Sequence, residues 1–501
     1  MNQLFSPLAL MRKLGIQSNG NVMCKVEHLS CLPFSLLNLV QNIKQIIPKA
    51  KHLPFLAALL LSGYSSQLCY AANTKTSADD KAEQVYQRAL TQGFDKLATQ
   101  FQDSSFKKAN IDALYKDVQK AMDGDKHASA LLLLYTNKHL LKQHINHEKV
   151  AELFAYALGR EALPLVEKLN EWAVVDGDVY TVSLFNYHFA QYYYRLGDWI
   201  KARDFLSAIE VRNALSTDQG DYATIIFGVT LQNNKQHRAA IKYYDEISEN
   251  SKYYGYAQLN KAVAFVRQGW WTDAKIAIDS ALEKSNDNEE FINRLHLVLG
   301  YSQLQHEFYR NARESFRHIA VDSRYADRAL LGIGLCALNQ GDYVGAINAF
   351  GILKDKPRTN ISISESFLLY AFTHEQMKQS AIASAHYDQA IAYYGKRIRQ
   401  VDQLLAGLKK LDDNSAITQH FSQSNSHIIP SHLAIRLENI EYLSASIMDK
   451  KLKKELDSAK RFIDTQLTKL YRAALIDEKG VLVSYLSQAQ FGQAKLFDDI
   501  Q

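Results

Sequence analysis

Beyond residue 72 the sequence has one cysteine, Cys336, and three prolines, Pro164, Pro357 and Pro430. A single thiol can form neither an internal disulfide nor a cysteine-based zinc centre. Such sparing use suits an oxidising compartment. Proline lacks the amide hydrogen and clashes with the preceding turn, so its scarcity leaves this stretch open to long helices. Alternating runs rich in Val, Ile and Thr are also missing, which argues against strands. Charge of one sign is missing too. The formal net charge is +5, but residues 1–72 hold Arg12, Lys13, Lys25, Lys44, Lys49 and Lys51 against Glu27 alone. The remainder is balanced, with 52 basic and 52 acidic residues. A neutral body gives no electrostatic footing for nucleic acid or an anionic membrane as partner.

Catalytic motifs are absent as well. HExxH, GxxxxGK[ST], GxSxG and a GxGxxG behind a strand do not occur. No acid–base pair or nucleophile can be nominated, so the chain reads as no enzyme and as needing no cofactor. His139, His144 and His147 with Glu148 are the densest group of potential metal ligands. Without cysteine or a second spaced pair they read as a solvated helix end, and no metal is expected. The DGD strings at Asp123 and Asp176 lack the further acidic ligands of a calcium loop and read as turns.

What is present begins with residues 53–63, LPFLAALLLSG. Lys44, Lys49 and Lys51 precede this apolar run, and a polar stretch ending in Ala71 and Ala72 follows it. A charged region, a short apolar core and small residues at a cleavage point make a secretory signal. The run falls short of the roughly 20 residues that span a bilayer. The expectation is an exported, periplasmic chain cut after Ala71 or Ala72, with no integral span in its mature form. A signal anchor in the inner membrane and a cytoplasmic protein are the alternatives. A leader of 72 residues is too long for a signal, which places the translation start within the first 45.

Six strings share one template: GDWIKARDFL, KQHRAAIKYY, GWWTDAKIAI, EFYRNARESF, GDYVGAINAF and KQSAIASAHY. Their anchors are Trp199, His237, Trp271, Tyr309, Tyr343 and Ser380, spaced 38, 34, 38, 34 and 37 apart. Three residues after each anchor comes alanine: Ala202, Ala240, Ala274, Ala312, Ala346 and Ala383. Nine residues before each comes a small residue: Ala190, Gly228, Ala262, Gly300, Gly334 and Ala371. Seven after each comes a bulky apolar one: Leu206, Tyr244, Ile278, Phe316, Phe350 and Tyr387. Small residues let two antiparallel helices approach, and Gly197, Gly269 and Gly341 stand where a left-handed helix end is wanted. A single hairpin cannot bury its own apolar face, so stacked neighbours supply the core.

On these offsets the chain resembles the tetratricopeptide repeat family. It departs from the family pattern in His237, in Ser380 and in lacking a proline at the end of most units. The resemblance implies an all-α fold, a solenoid of helical hairpins coiled as a right-handed superhelix. Residues 1–72 are the leader, 73–182 an N-terminal helical region of degenerate repeats or a cap, and 183–393 six repeats. Residues 394–501 form a C-terminal helical region with a loop near 414–431. Two apolar stripes then follow, Leu433 to Ile447 and Leu452 to Leu470, as a hairpin or coiled coil.

The resemblance also implies a groove lined by the first helix of each hairpin. Its candidate partner-binding residues are Tyr187, Gln191, Tyr194 and Arg195, then Tyr222 and Asn233, then Tyr256 and Arg267. Arg294, Tyr301 and Gln305 follow, then Arg328 and Asn339, with Glu365, Phe372 and Gln376 last. One place is polar in every unit: Arg195, Asn233, Arg267, Gln305, Asn339 and Gln376. No lysine stands at the groove positions, which disfavours capture of a peptide's terminal carboxylate. The expected function is a scaffold of the bacterial envelope that binds a protein or peptide. A structural or oligomerising subunit is the alternative, and a cell-wall enzyme comes behind both. Residues 432–497 are expected to fold back and cover part of the groove; extension of the stack end-on is the alternative, and association with a second copy a third arrangement.

Overall fold

The computed structural model describes residues 77–101, 105–284, 288–357, 359–408 and 430–498. The leader with its signal, Cys24, Cys31, Cys69 and most of the 414–431 segment lie outside them. Among the described residues there are 20 α-helices and no strand. None of these helices is long and apolar enough to cross a membrane.

The chain divides into two units. The first contains residues 77–234 and 430–470, the second 235–408 and 471–498. In the first unit, α1 (Ser77–Gln100) precedes α2 (Ile111–Asp123), α3 (His127–Thr136) and α4 (Lys138–Gln143). Next come α5 (Glu148–Gly159), α6 (Leu163–Asp176), α7 (Val179–Arg195), α8 (Trp199–Ser207) and α9 (Thr217–Asn233). The second unit holds α10 (His237–Asp245), α11 (Tyr254–Gln268), α12 (Trp271–Lys284), α13 (Glu289–Gln305) and α14 (Tyr309–Arg317). It continues with α15 (Ala326–Asn339), α16 (Tyr343–Lys354), α17 (Ile361–Gln376) and α18 (Ser380–Gly407). Helix α19 (Ser431–Ser446) belongs to the first unit, and α20 (Lys450–Asp498) contributes to both.

Every one of the six sequence anchors is the first residue of a helix. The reason lies two residues earlier. Gly197, Lys235, Gly269, Glu307, Gly341 and Lys378 all have φ between 58° and 76°. A left-handed residue ends one helix and reverses the chain into the next. After Gly197, Gly269, Glu307, Gly341 and Lys378, the next amide donates to the carbonyl five residues back, at 2.9–3.0 Å. Asp198 and Asp342 then cap the second helix through the amides of Lys201 and Gly345. So Leu196-Gly197-Asp198 and Gln340-Gly341-Asp342 are turn and cap in three residues.

The same device occurs twice more. Asp125 (φ 54°) turns α2 into α3, and Glu161 (φ 59°) turns α5 into α6. The amides of Lys126 and Ala162 close these turns onto Ala121 and Ala157 at 2.8 and 3.0 Å. The hairpin pattern therefore starts at α2, earlier than the six-copy template showed. Replacing Gly341 with alanine should cost the α15–α16 hairpin about 1 kcal/mol, because its φ of 75° crowds a Cβ. Faster amide exchange in α15 and α16 alone is the readout.

Packing follows the template. The six alanines are buried, as are Tyr244, Ile278, Phe316, Phe350 and Tyr387, while Leu206 is half-buried. The glycines make room for rings. A Cβ on Gly300 would stand 2.5 Å from Phe316, and one on Gly332 2.4 Å from the ring's other edge. Phe316 is thus clasped by its own first helix and by that of the next hairpin.

Candidate partner-binding surface

The residues expected in the groove separate into two classes. Tyr187, Tyr194, Tyr222 and Tyr301 are buried. The Tyr187 hydroxyl accepts from Gln191 Nε2 at 2.7 Å, and the Tyr301 hydroxyl donates to the Arg328 carbonyl at 2.7 Å. Tyr194 meets Trp199 and Tyr222 edge-on, at centroid distances of 5.5 and 6.4 Å. These rings pack within the helical array instead of standing in solvent. Burial raises the Tyr301 phenol, so it stays a neutral donor.

The polar place at the end of each first helix behaves differently. Arg195, Asn339 and Gln376 are exposed, while Asn233, Arg267 and Gln305 are half-buried. Asn339 Nδ2 donates back to Leu335 O at 2.8 Å. The Gln305 Oε1 and both side-chain polar atoms of Asn233 are desolvated without a hydrogen-bond partner. An unmet buried amide costs free energy that a ligand's backbone can return. Burial also pulls the Arg267 guanidinium down, partly offset by Tyr244. Tyr256, Arg294 and Arg328 are half-buried, with Arg328 lying 5.7 Å from the Tyr301 ring centroid.

The C-terminal helices dock on each unit. In the first, Arg436 of α19 reaches Glu161 Oε2 at 3.0 Å and Glu83 Oε2 at 2.6 Å. Tyr192 also donates to Glu161 Oε2, at 3.0 Å. Arg160 pairs with Glu438 at 2.7 Å, and Asn439 Nδ2 donates to the Arg160 carbonyl at 2.9 Å. Burial raises the Glu161 carboxyl, with Arg436 pulling the other way. Burial likewise works against the Arg436 cation, but Glu161 and Glu83 outweigh it. The turn between α19 and α20 falls between the two apolar stripes, and Asp449 caps α20 through the amides of Lys451 and Leu452.

In the second unit the distal half of α20 packs on the last hairpin. Glu478 and Lys479 pair with Arg397 and Asp402 at 2.6 Å each, near the end of α18. Tyr485 meets Glu365 and Tyr394, Gly492 meets Tyr387, and Lys495 meets Glu375 at 2.7 Å. Contacts climb α17 and descend α18 as α20 advances. It therefore runs parallel to α17 and antiparallel to α18, as a following first helix would. Gly492 against Tyr387 repeats Gly332 against Phe316. Of the three arrangements expected for these residues, this half takes the end-on one, and it covers Glu365.

His144 and His147 line a surface depression with Lys142, Gln143, Ile145, Asn146 and Asp176. His147 Nδ1 accepts from the Lys149 amide and caps α5. Among the described residues, no group of three or more His, Cys, Asp or Glu is placed to hold a metal ion. Cys336 is buried, and burial pushes its thiol up to about 12, far from a nucleophilic thiolate.

A family model described as tetratricopeptide repeat matches residues 297–353, which span α14 and α15 with most of α13 and α16. The chain carries tetratricopeptide repeats, and its fold is that of a helical-hairpin solenoid. No curated protein gives a significant sequence match. Among solved structures it is similar to a tetratricopeptide repeat protein from Parabacteroides merdae: 14% identity, TM-score 0.34, 56% of this chain and 99% of that one. The apo form of the quorum sensor NprR from B. thuringiensis gives 14%, TM-score 0.34, 63% and 97%. The human IFIT1 dimer with PPP-AAAA gives 16%, TM-score 0.33, 76% and 97%. At TM-scores this low, none bears on what this chain binds.

Proposed function

We propose that this protein is a non-catalytic scaffold of the bacterial cell envelope that holds a protein partner as an extended peptide or helix. The carrying observation is the polar ladder at the ends of the first helices. In the second unit it consists of Arg267, Gln305, Asn339 and Gln376, one per hairpin. Side chains repeated at a fixed register match a ligand that is itself repetitive, such as a peptide backbone. The apolar run at 53–63 supports an exported setting, and the balanced charge of the body speaks against nucleic acid.

Replacing Arg267, Gln305, Asn339 and Gln376 together with alanine should weaken capture of the partner at least tenfold, about 1.4 kcal/mol. The circular dichroism of the variant should remain helical. Undiminished capture by a folded variant would remove the ladder from the binding surface.

A further inference from the structure

Glu365 lies in the first turn and a half of α17 and is fully buried. Its Oε2 accepts from the Tyr485 hydroxyl of α20 at 3.2 Å, while its Oε1 has no hydrogen-bond partner. An ionised carboxylate would need both oxygens satisfied, so this is a site for the neutral acid. The titratable groups facing it are Tyr485 of α20, Tyr394 of α18 and Tyr301 of α13, the last with Arg328 over its ring. Burial pushes the carboxyl up to about 8, and the Tyr485 hydrogen bond offsets only part of this.

Around this point the attachment of α20 is otherwise ordinary. The Arg397–Glu478, Lys479–Asp402 and Lys495–Glu375 pairs flank it, and the Tyr394 and Tyr485 rings meet at 5.8 Å. Glu365 is the carboxyl of this contact that burial pushes into the neutral range.

We propose that residues 478–495 of α20 form an acid-tightened cap on the last hairpin, docked while Glu365 keeps its proton and loosened as Glu365 gives it up. Loosening uncovers the first helix of that hairpin, which gives the cap a regulatory role if the binding surface proposed above is correct. The sign follows from proton binding. The docked carboxyl titrates near 8 and the free one near 4.5, so the docked state holds more protons between those values. Docking therefore weakens about tenfold per pH unit as pH rises through that window, and levels off above 8.

The test is amide exchange of the full chain between pH 5.5 and 9, corrected for the intrinsic rate and read in segments 361–376 and 478–495. The opening constant should climb about tenfold per unit and level near pH 8. In Glu365→Gln it should stay flat. In Tyr485→Phe, which removes the bond favouring the ionised form, the plateau should move to higher pH. A wild-type constant independent of pH, or the same slope in Glu365→Gln, would overturn the proposal. An unmoved plateau in Tyr485→Phe would do the same. None of these outcomes depends on whether a partner binds the ladder.

Discussion

Replacing Arg436 with alanine is expected to destabilise the first unit by about 3–5 kcal/mol. Arg436 is 7% exposed and Glu161 is 2% exposed. Burial already raises the Glu161 carboxyl with its partner in place. Without Arg436 that carboxylate would be buried with only the Tyr192 hydroxyl as side-chain partner. Glu83 would lose its bond as well. Helix α19 should then loosen on α1, held by the Arg160 contacts of Glu438 and Asn439 and by the packing of Leu443 on Gly93 and Tyr442 on Phe94. Amide protection should fall in 431–446 and in α1. The double replacement Glu161→Gln with Arg436→Met should recover most of the loss, since neither position then leaves a fully buried charge unpaired and Glu83 is partly exposed. A single-variant loss under about 1 kcal/mol would show the pair to act like a surface one.

The second large effect is expected at Phe316. The ring is 1% exposed, clasped by Gly300 and Gly332, and meets Tyr301 edge-on at 4.9 Å. Phe316→Ala empties a space that glycines cannot fill, at a cost of about 3–5 kcal/mol. In a repeat array each unit rests on its neighbours, so the loss should spread across the interface between α13–α14 and α15. It should not reach the first unit. Denaturant titration with exchange read segment by segment distinguishes the two. Gly332→Val should also destabilise, because a Cβ there meets the ring at 2.4 Å.

Much of the fold was legible because its signal is local. Anchor, alanine and small crossing residue recur at fixed offsets, and even His237 and Ser380 open helices as the register predicts. The hairpins α2–α3 and α5–α6 escaped notice for two physical reasons. Their crossing positions carry Val118 and Phe154 where the template has a small residue, and in the second Leu163 and Val166 stand at the anchor and alanine positions. Counting back 36 residues from Trp199 gives Leu163, and 36 more gives His127, each the first residue of a helix. Three residues on stand Val166 and Ala130, both buried, which is the signal that could have found them.

The candidate site was less legible. Register places a side chain on a face, but whether Tyr187 or Tyr301 reaches solvent depends on the neighbouring hairpin. The two docking contacts were beyond any local pattern. Arg436 and Glu161 are 275 residues apart, and Tyr485 and Glu365 are 120 apart. Glu365 read as a polar groove residue because nothing near it in sequence announces the tyrosine that covers it.

Site-specific photo-cross-linking in living cells tests the central claim most directly. A photoreactive residue at Asn339 or Gln376 stands on the exposed end of a first helix, and one at Ile276 or Ile352 stands exposed on a second helix. The scaffold account predicts a discrete cross-linked protein at Asn339 and Gln376 and none at Ile276 and Ile352. Cross-links at the second-helix positions alone would place the partner on the opposite face and contradict it.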